Sequence, residues 1–229
     1  MHVPDGFLDA PTSVATGVVA VAAVAVSLRA ARRELDDRTA PMAGLVATFV
    51  FAAQMINFPV GAGTSGHLMG GALAAVLVGP WTAVLCLAVV LLVQALLMAD
   101  GGITALGTNI TLIGIVTVVV GWAVFVVLRR VLPRRLDLVA PAAAVGALVS
   151  VPVAALVFTG LFAVGGNAPV DLTAVATAMF GWHTVIGIGE AVVTGLVVAS
   201  VVAARPDLVH GARPLVAERE LVTRKVVIR

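Results

Sequence analysis

The uncharged segment Leu68–Met98, LMGGALAAVLVGPWTAVLCLAVVLLVQALLM, determines how many helical segments this chain contains. It is too long for one ordinary membrane span, because about 20 residues cross the hydrocarbon core. Gly79-Pro80 stands near its middle, and a proline preceded by a glycine interrupts a helix. The segment therefore predicts a short helix over 68–79 and a full-length one over 81–98.

The composition is that of an integral membrane protein. Of the 229 residues, 61% are apolar and 11% are charged, whereas a soluble domain carries about 25% charged residues. The other apolar runs lie at about 11–28, 42–60, 103–128, 138–164 and 172–204. We predict an all-α integral membrane protein with about seven membrane segments, one of them short. The predicted organisation is one polytopic domain over 1–204 and a basic cytoplasmic tail over 205–229.

The positions of the basic residues predict the orientation. The 14 Lys and Arg side chains form three groups. These groups are Arg29, Arg32, Arg33 and Arg38; Arg129, Arg130, Arg134 and Arg135; and the residues from Arg205 to Arg229. Lys and Arg accumulate in cytoplasmic loops, and only the split at Gly79-Pro80 places all three groups on one side. We expect a multi-pass protein of the plasma membrane, with its amino terminus outside and its carboxyl terminus inside. The net charge of +2 does not indicate a nucleic-acid partner.

The segments predicted to face outward are acidic and include the amino terminus. Their charged residues are Asp5, Asp9, Asp100 and Asp171. A cleaved signal peptide carries positive charge before its apolar stretch, but the first basic residue here, Arg29, follows that stretch. We therefore expect Met1 to remain the terminus and to share one compartment with His2 and His67.

A free amino terminus followed by histidine is a chelating unit. The Met1 amine, the His2 amide nitrogen and the His2 imidazole can close fused rings on one metal ion, which leaves one corner of a four-coordinate site open. The glycine-rich loop 58–67 is either a flexible connector or a shaped loop that delivers His67 to that corner. Four nitrogen ligands favour an ion of the Ni(II) or Cu(II) type. Because protons compete for these nitrogens, we expect affinity to fall on mild acidification.

Several motifs of the chain resemble one transporter family, the CbiM/NikM family of substrate-binding membrane subunits of energy-coupling factor (ECF) transporters for cobalt and nickel. The similar stretches are Met1–Leu8, Gly63–His67, Gln94–Leu97, Asp100–Gly102, Leu106–Asn109, and His183 with Ile186–Ala191. The resemblance covers about residues 1–204. It implies that the metal is held by the Met1 amine, the backbone and imidazole nitrogens of His2, and His67.

The resemblance also implies a non-catalytic capture subunit with separate partners. These are a transmembrane coupling subunit (CbiQ/NikQ-like), a cytoplasmic ATPase (CbiO/NikO-like) and in some systems a small accessory membrane subunit (CbiN/NikN-like). The sequence contains no Gly-x-x-x-x-Gly-Lys-Ser/Thr phosphate-binding loop, so an ATP-driven transporter has to take its ATPase from another chain. We expect no catalytic cofactor, and the transported ion is Ni²⁺ or Co²⁺.

Two alternative functions remain open. The chain could be a stand-alone carrier or channel for divalent metals. It could also be an intramembrane serine protease, with Ser65 of the Gly63–Gly66 motif as nucleophile and His183 as base.

Polar residues within the apolar runs form a further group of candidates: Gln54, Asn57, Gln94, Asn109, His183 and Glu190. We expect Asn57 and Asn109 to orient the metal-binding loops. His183 and Glu190 lie two turns apart on one helix face and either support the site or form a pair satisfied within the bundle. Glu190 is expected to lie away from the site.

Overall fold

The computed structural model describes residues 1–36, 39–61, 64–218 and 221. Predictions for Arg38, for Gly63 and for the tail at 219–220 and 222–229 lie outside the described residues. The helices are α1 (Ala10–Ala30), α2 (Ala40–Gln54), α3 (Gly71–Val78), α4 (Pro80–Leu97), α5 (Leu106–Val131), α6 (Val139–Gly165) and α7 (Leu172–Ala204). In α5 the stretch Ile110–Val116 is π-helical.

The helical, membrane-type fold class is confirmed. Within the described residues, five helices are long and apolar enough to cross a membrane, namely those that include α1, α4, α5, α6 and α7. The remaining helices are shorter, with 15 residues in α2 and 8 in α3. At 1.5 Å per residue, α3 is only about 12 Å long.

The predicted break at Gly79-Pro80 is confirmed. Helix α3 ends at Val78 and α4 begins at Pro80, and Gly79 between them adopts a φ of +97°, which favours glycine. The buried carboxylate of Glu34 accepts hydrogen bonds from the backbone N–H groups of Trp81 (3.2 Å) and Thr82 (2.7 Å). Glu34 therefore satisfies the free amino end of α4.

Helix α3 lies at the centre of the molecule. All eight of its residues are buried, as expected for a helix that is apolar on every side. Small residues allow its close packing. A Cβ on Gly71 would collide with Thr117 of α5, and a Cβ on Gly121 of α5 would lie 2.5 Å from the Ala72 side chain. The short helix therefore occupies the interior of a bundle formed by longer ones.

The predicted apolar span 42–60 is wrong in its last third. Helix α2 ends at Gln54, and the chain then forms a hairpin of β1 (Phe58–Gly61) and β2 (Thr64–Gly66). Pro59 cannot donate a backbone hydrogen bond to a continuing helix, and the strands pair Phe58 with Gly66. The hairpin adds two short strands to the predicted all-α fold and turns the chain back so that it continues into His67.

The described part of the predicted tail packs onto the bundle. Short 3-10 turns at Pro206–Leu208 and His210–Ala212 follow α7. Val209, Ala212 and Leu215 are buried in the same hydrophobic core as α3. This segment therefore covers the end of the bundle opposite to the amino terminus.

Candidate metal site

The amino-terminal segment enters the helix bundle before α1 begins. Met1 and Val3 are completely buried and His2 is 4% exposed. The side chain of Asn109 binds Val3 twice: its Oδ1 accepts from the Val3 N–H (2.7 Å), and its Nδ2 donates to the Val3 carbonyl (3.1 Å). The Val3 carbonyl also accepts from the Gly102 N–H (2.9 Å). These contacts hold the first three residues in place.

The amino-terminal segment is also anchored beyond Val3, through residues 5–9. Phe7 packs against Phe158 and Phe162 of α6, with ring centroids 5.7 and 5.2 Å apart. The Asp5 carboxylate accepts a hydrogen bond from the Thr104 N–H at 2.7 Å, and Asp9 caps α1 by accepting from the Thr12 N–H at 2.9 Å. Two of the predicted outer acidic residues thus have structural roles next to the amino terminus.

The structure brings together the three residues that the sequence singled out. The Met1 amine lies 2.6 Å from His67 Nε2, and the rings of His2 and His67 are stacked with centroids 4.4 Å apart. His67 is 1% exposed and follows directly after β2. The hairpin therefore delivers His67 to the amino terminus, from a position 66 residues along the chain.

Hydrogen bonds determine which imidazole nitrogens face the site. His67 Nδ1 lies 2.8 Å from the Leu68 carbonyl, which can only accept, so His67 donates from Nδ1 and keeps a lone pair on Nε2. His2 Nε2 lies 3.2 Å from the side-chain oxygen of Gln94, Oε1. The other nitrogen of His2, Nδ1, lies 3.1 Å from the Asp100 carboxylate. Each imidazole is thus oriented by an oxygen acceptor, as metal-binding histidines usually are.

The buried site favours unprotonated nitrogen. Desolvation by burial lowers the pKa of the Met1 amine from 8.0 to about 4, despite the opposing charges of Asp100 and Glu190. Burial also holds the pKa of His67 well below its usual 6.5, and the neighbouring amine adds to this effect. Both groups therefore carry free lone pairs at neutral pH. The ordinary pKa values assumed from the sequence do not apply to these two groups.

Asp100 supplies negative charge beside these nitrogens. Its Oδ1 faces His2, and its Oδ2 accepts a hydrogen bond from Asn57 Nδ2 at 3.2 Å. The sequence assigned Asp100 to the acidic outer rim and Gln94 to the polar residues of the spans, and both to stretches that resemble the family, but it gave neither residue a role beside His2. One feature of the sequence could have pointed to both residues together. Gln94 lies in the last turns of α4, and Asp100-Gly101 follows shortly after that helix. Gly101 has a φ of +87° and packs against His2.

The expectation that Glu190 lies away from the site is wrong. Its carboxylate accepts hydrogen bonds from the backbone N–H groups of Met69 (2.7 Å) and Gly70 (2.9 Å). These residues follow His67 and directly precede α3, with Gly70 as its N-cap residue, so Glu190 anchors the amino end of α3 and fixes the chain next to His67. It does not pair with His183, whose Nδ1 bonds the Met179 carbonyl at 2.7 Å.

The structure does not form the dyad required by the protease alternative. His183 Nδ1 is occupied by Met179, and its Nε2 is buried without a hydrogen-bond partner among the described residues. Ser65 is therefore not hydrogen-bonded to this histidine, as a serine nucleophile would need to be.

The groups near the amino terminus include main-chain as well as side-chain nitrogens. Among the described residues, no group of three or more His, Cys, Asp or Glu side chains is placed to hold a metal ion. The Met1 amine and the His2 amide are the main-chain nitrogens that lie beside the His67 side chain.

Comparison with known proteins agrees with this architecture. The family model described as "Cobalt uptake substrate-specific transmembrane region" (CbiM) matches residues 2–208. The chain is 37% identical to the fused nickel transport protein NikMN of Rhodobacter capsulatus, with coverage of 96% of this chain and 67% of that protein. It is 41% identical to the cobalt transport protein CbiM of Sorangium cellulosum, over 57% of this chain and 59% of that protein.

A solved structure shows the same fold. The crystal structure of a truncated transition metal transporter superimposes with a TM-score of 0.82 at 30% identity, covering 89% of this chain and 99% of that one. The family model spans nearly all of the described helices. The chain is therefore a membrane protein of the CbiM/NikM type and belongs to the CbiM family of cobalt and nickel transport proteins.

Proposed function

We propose that this chain is the substrate-capture subunit of an ECF transporter that imports Ni²⁺ or Co²⁺. The ion would bind the Met1 amine, the amide and imidazole nitrogens of His2, and His67. The observation that carries this proposal is the 2.6 Å approach of the Met1 amine to His67 Nε2 beside the stacked His2 ring. Two nitrogen donors distant in sequence are buried together in forms that have free lone pairs.

The proposed chelate follows from the covalent geometry of the first two residues. The amine and the His2 amide nitrogen close a five-membered ring on a metal ion, and the amide nitrogen and His2 Nδ1 close a six-membered one. His67 Nε2 supplies the remaining nitrogen. Such a nitrogen set suits a tetragonal ion better than Ca²⁺ or Mg²⁺, which take oxygen ligands. The Asp100 carboxylate beside His2 offsets part of the charge of the cation.

The proposal includes the predicted membrane placement and partners. Seven helical segments would place the amino terminus outside the plasma membrane, and the arginine groups at the cytoplasmic side. A CbiQ/NikQ-like coupling subunit and a CbiO/NikO-like ATPase would drive import. Relatives named fused nickel transport protein NikMN support a NikN-like accessory component as a further part of this proposal.

A removable amino-terminal extension tests the chelate. The extended protein carries a factor Xa site that leaves Met1 as the first residue after cleavage. We expect weak Ni²⁺ binding before cleavage and tight binding afterwards, because only cleavage provides the amine one residue before His2. Isothermal titration in detergent, with thermal unfolding as a check of folding, measures both states of the same polypeptide. Equal affinity before and after cleavage would falsify the chelate.

Replacement of His67 gives a second test within the same experiment. His67→Ala removes a proposed ligand and should weaken Ni²⁺ binding by at least about 100-fold, since loss of groups that merely orient a ligand already costs 10–100-fold. The matched control is His210→Ala, which lies in the segment after α7 and should leave affinity unchanged.

Uptake separates the ECF proposal from the stand-alone carrier. Cells that express this chain with the coupling subunit and ATPase should accumulate radioactive nickel, whereas cells that express the chain alone should not. Equal uptake by the chain alone would favour a carrier or channel.

A further inference from the structure

A second cavity lies at the carboxyl end of α5, far from the amino-terminal site. It has a volume of about 460 Å³ and lies between α5 and the segment 210–215. Asn109 near the amino end of α5 and Arg129 near its carboxyl end are 20 residues apart, or roughly 30 Å along a helix. The cavity is therefore independent of the proposed metal chelate.

One wall of the cavity is strongly basic. Arg129, Arg130 and Arg134 all line it. Within the part of the chain that the structure describes, Glu218 is the one carboxylate in an ion pair with any of these arginines, at 3.2 Å from Arg134, and both side chains are exposed. Asp137 acts on Arg129 at longer range but pairs with Arg135 at 2.7 Å. The wall retains a net positive charge.

The other wall is apolar and aromatic, and it contains an unsatisfied polar atom. Trp122 lies two turns before Arg129 on α5, about 10 Å deeper in the bundle. Its ring packs against Phe125 (5.3 Å) and His210 (5.5 Å). His210 Nδ1 is buried and has no hydrogen-bond partner among the described residues. The surface that this wall offers to a ligand is therefore mainly aromatic.

We propose that this cavity binds an anionic glycerophospholipid. The phosphate would contact the arginines, and one acyl chain would lie along Trp122 and Phe125. Basic pockets between membrane helices at the cytoplasmic surface bind anionic headgroups, and tryptophan is enriched at that depth. A lipid matches both walls of the cavity, whereas a water-soluble phosphate would use only the arginines. The proposal needs the membrane placement of α5 but not the metal site.

Quenching of Trp122 fluorescence tests this proposal directly. The chain has three tryptophans, so a Trp81→Phe/Trp182→Phe protein reports on Trp122 alone. In detergent micelles, phosphatidylglycerol with brominated acyl chains should quench Trp122 at lower concentration than brominated phosphatidylcholine. Arg130→Gln should weaken the apparent affinity for phosphatidylglycerol about fivefold, and Arg129→Gln/Arg130→Gln roughly 25-fold.

The matched control changes two arginines outside the cavity. Arg32 and Arg33 are exposed and belong to another basic group, so Arg32→Gln/Arg33→Gln should keep the affinity for phosphatidylglycerol.

Equal quenching by the two lipids, or equal loss in the control, would overturn the proposal. Recovery of Trp122 fluorescence on addition of glycerol phosphate would show recognition of free phosphate and would also overturn it. Arg130 is exposed, so its single variant remains informative if the double variant does not fold.

Discussion

Asn109 connects the amino-terminal residues to the bundle through a single side chain. Its amide group both accepts from and donates to the main chain of Val3. The pair joins residues 106 positions apart, next to the π-helical stretch of α5, and π-helical turns often occur at functional sites. The expectation that Asn109 orients the metal-binding loop agrees with this geometry, and its effect on metal binding stays a prediction.

Replacement of Asn109 tests that role. Asn109→Ala leaves the buried Val3 N–H without its partner, which costs about 1–3 kcal/mol. We expect Ni²⁺ affinity to fall roughly tenfold or more, because the amine and His2 are then less well held. The control is Asn167→Ala, which removes a weaker bond of 3.3 Å to the Gly6 carbonyl at the exposed rim. Equal affinities of the two variants in titration calorimetry would contradict the assigned role.

At the scale of elements, two buried glutamates bind the amino ends of α3 and α4, the two helices that Gly79-Pro80 separates. Glu34 caps the amino end of α4, and Glu190 caps the amino end of α3. Glu34 accepts from two N–H groups that the first turn of α4 leaves free. Glu190 accepts from the N–H groups of Met69 and Gly70, just before α3. Because α3 begins just after His67, only the Glu190 cap adjoins the proposed metal site.

The two caps form a matched pair of variants. Glu190→Gln and Glu34→Gln each weaken charge-assisted hydrogen bonds, so both should lower the melting temperature. Only Glu190→Gln should also lower Ni²⁺ affinity, since it shifts the chain at Met69 and with it His67. The measurements are thermal unfolding and Ni²⁺ titration of both proteins. A similar loss of Ni²⁺ affinity in Glu34→Gln would show that the effect is general destabilisation.

At the scale of the whole molecule, the proposed orientation can be read from cysteine labelling. Cys86 is the only cysteine of the chain and is buried, so the native protein provides a silent background. Pro133 and Pro169 are both exposed and lie in the loops before α6 and α7. A proline-to-cysteine substitution can therefore be made at one position on each of the two predicted sides of the membrane.

Membrane-impermeant maleimide should distinguish these two positions. In intact cells Pro169→Cys should react, and Pro133→Cys should react only after lysis, because the arginines beside Pro133 favour the cytoplasm. The opposite labelling pattern would invert the proposed topology and would place the amino terminus inside.

The sequence by itself determined the helical membrane class, the break at Gly79-Pro80 and the candidate metal-binding nitrogens. These follow from local features: apolar length, the missing N–H of proline and the chemistry of a terminal amine beside a histidine. The resemblance to the CbiM/NikM family rests on the same local motifs and is confirmed by the family model.

Only the tertiary structure decided how these parts meet. It showed that residues after Gln54 form a hairpin, and that Gln94 and Asp100 orient His2. It also placed Glu190 against the chain that follows His67. The contact of Gln94 with His2 joins residues 92 positions apart, and that of Glu190 with Gly70 joins residues 120 apart. No local pattern specifies such pairs, because they form only when packing of the bundle around α3 brings distant segments into contact.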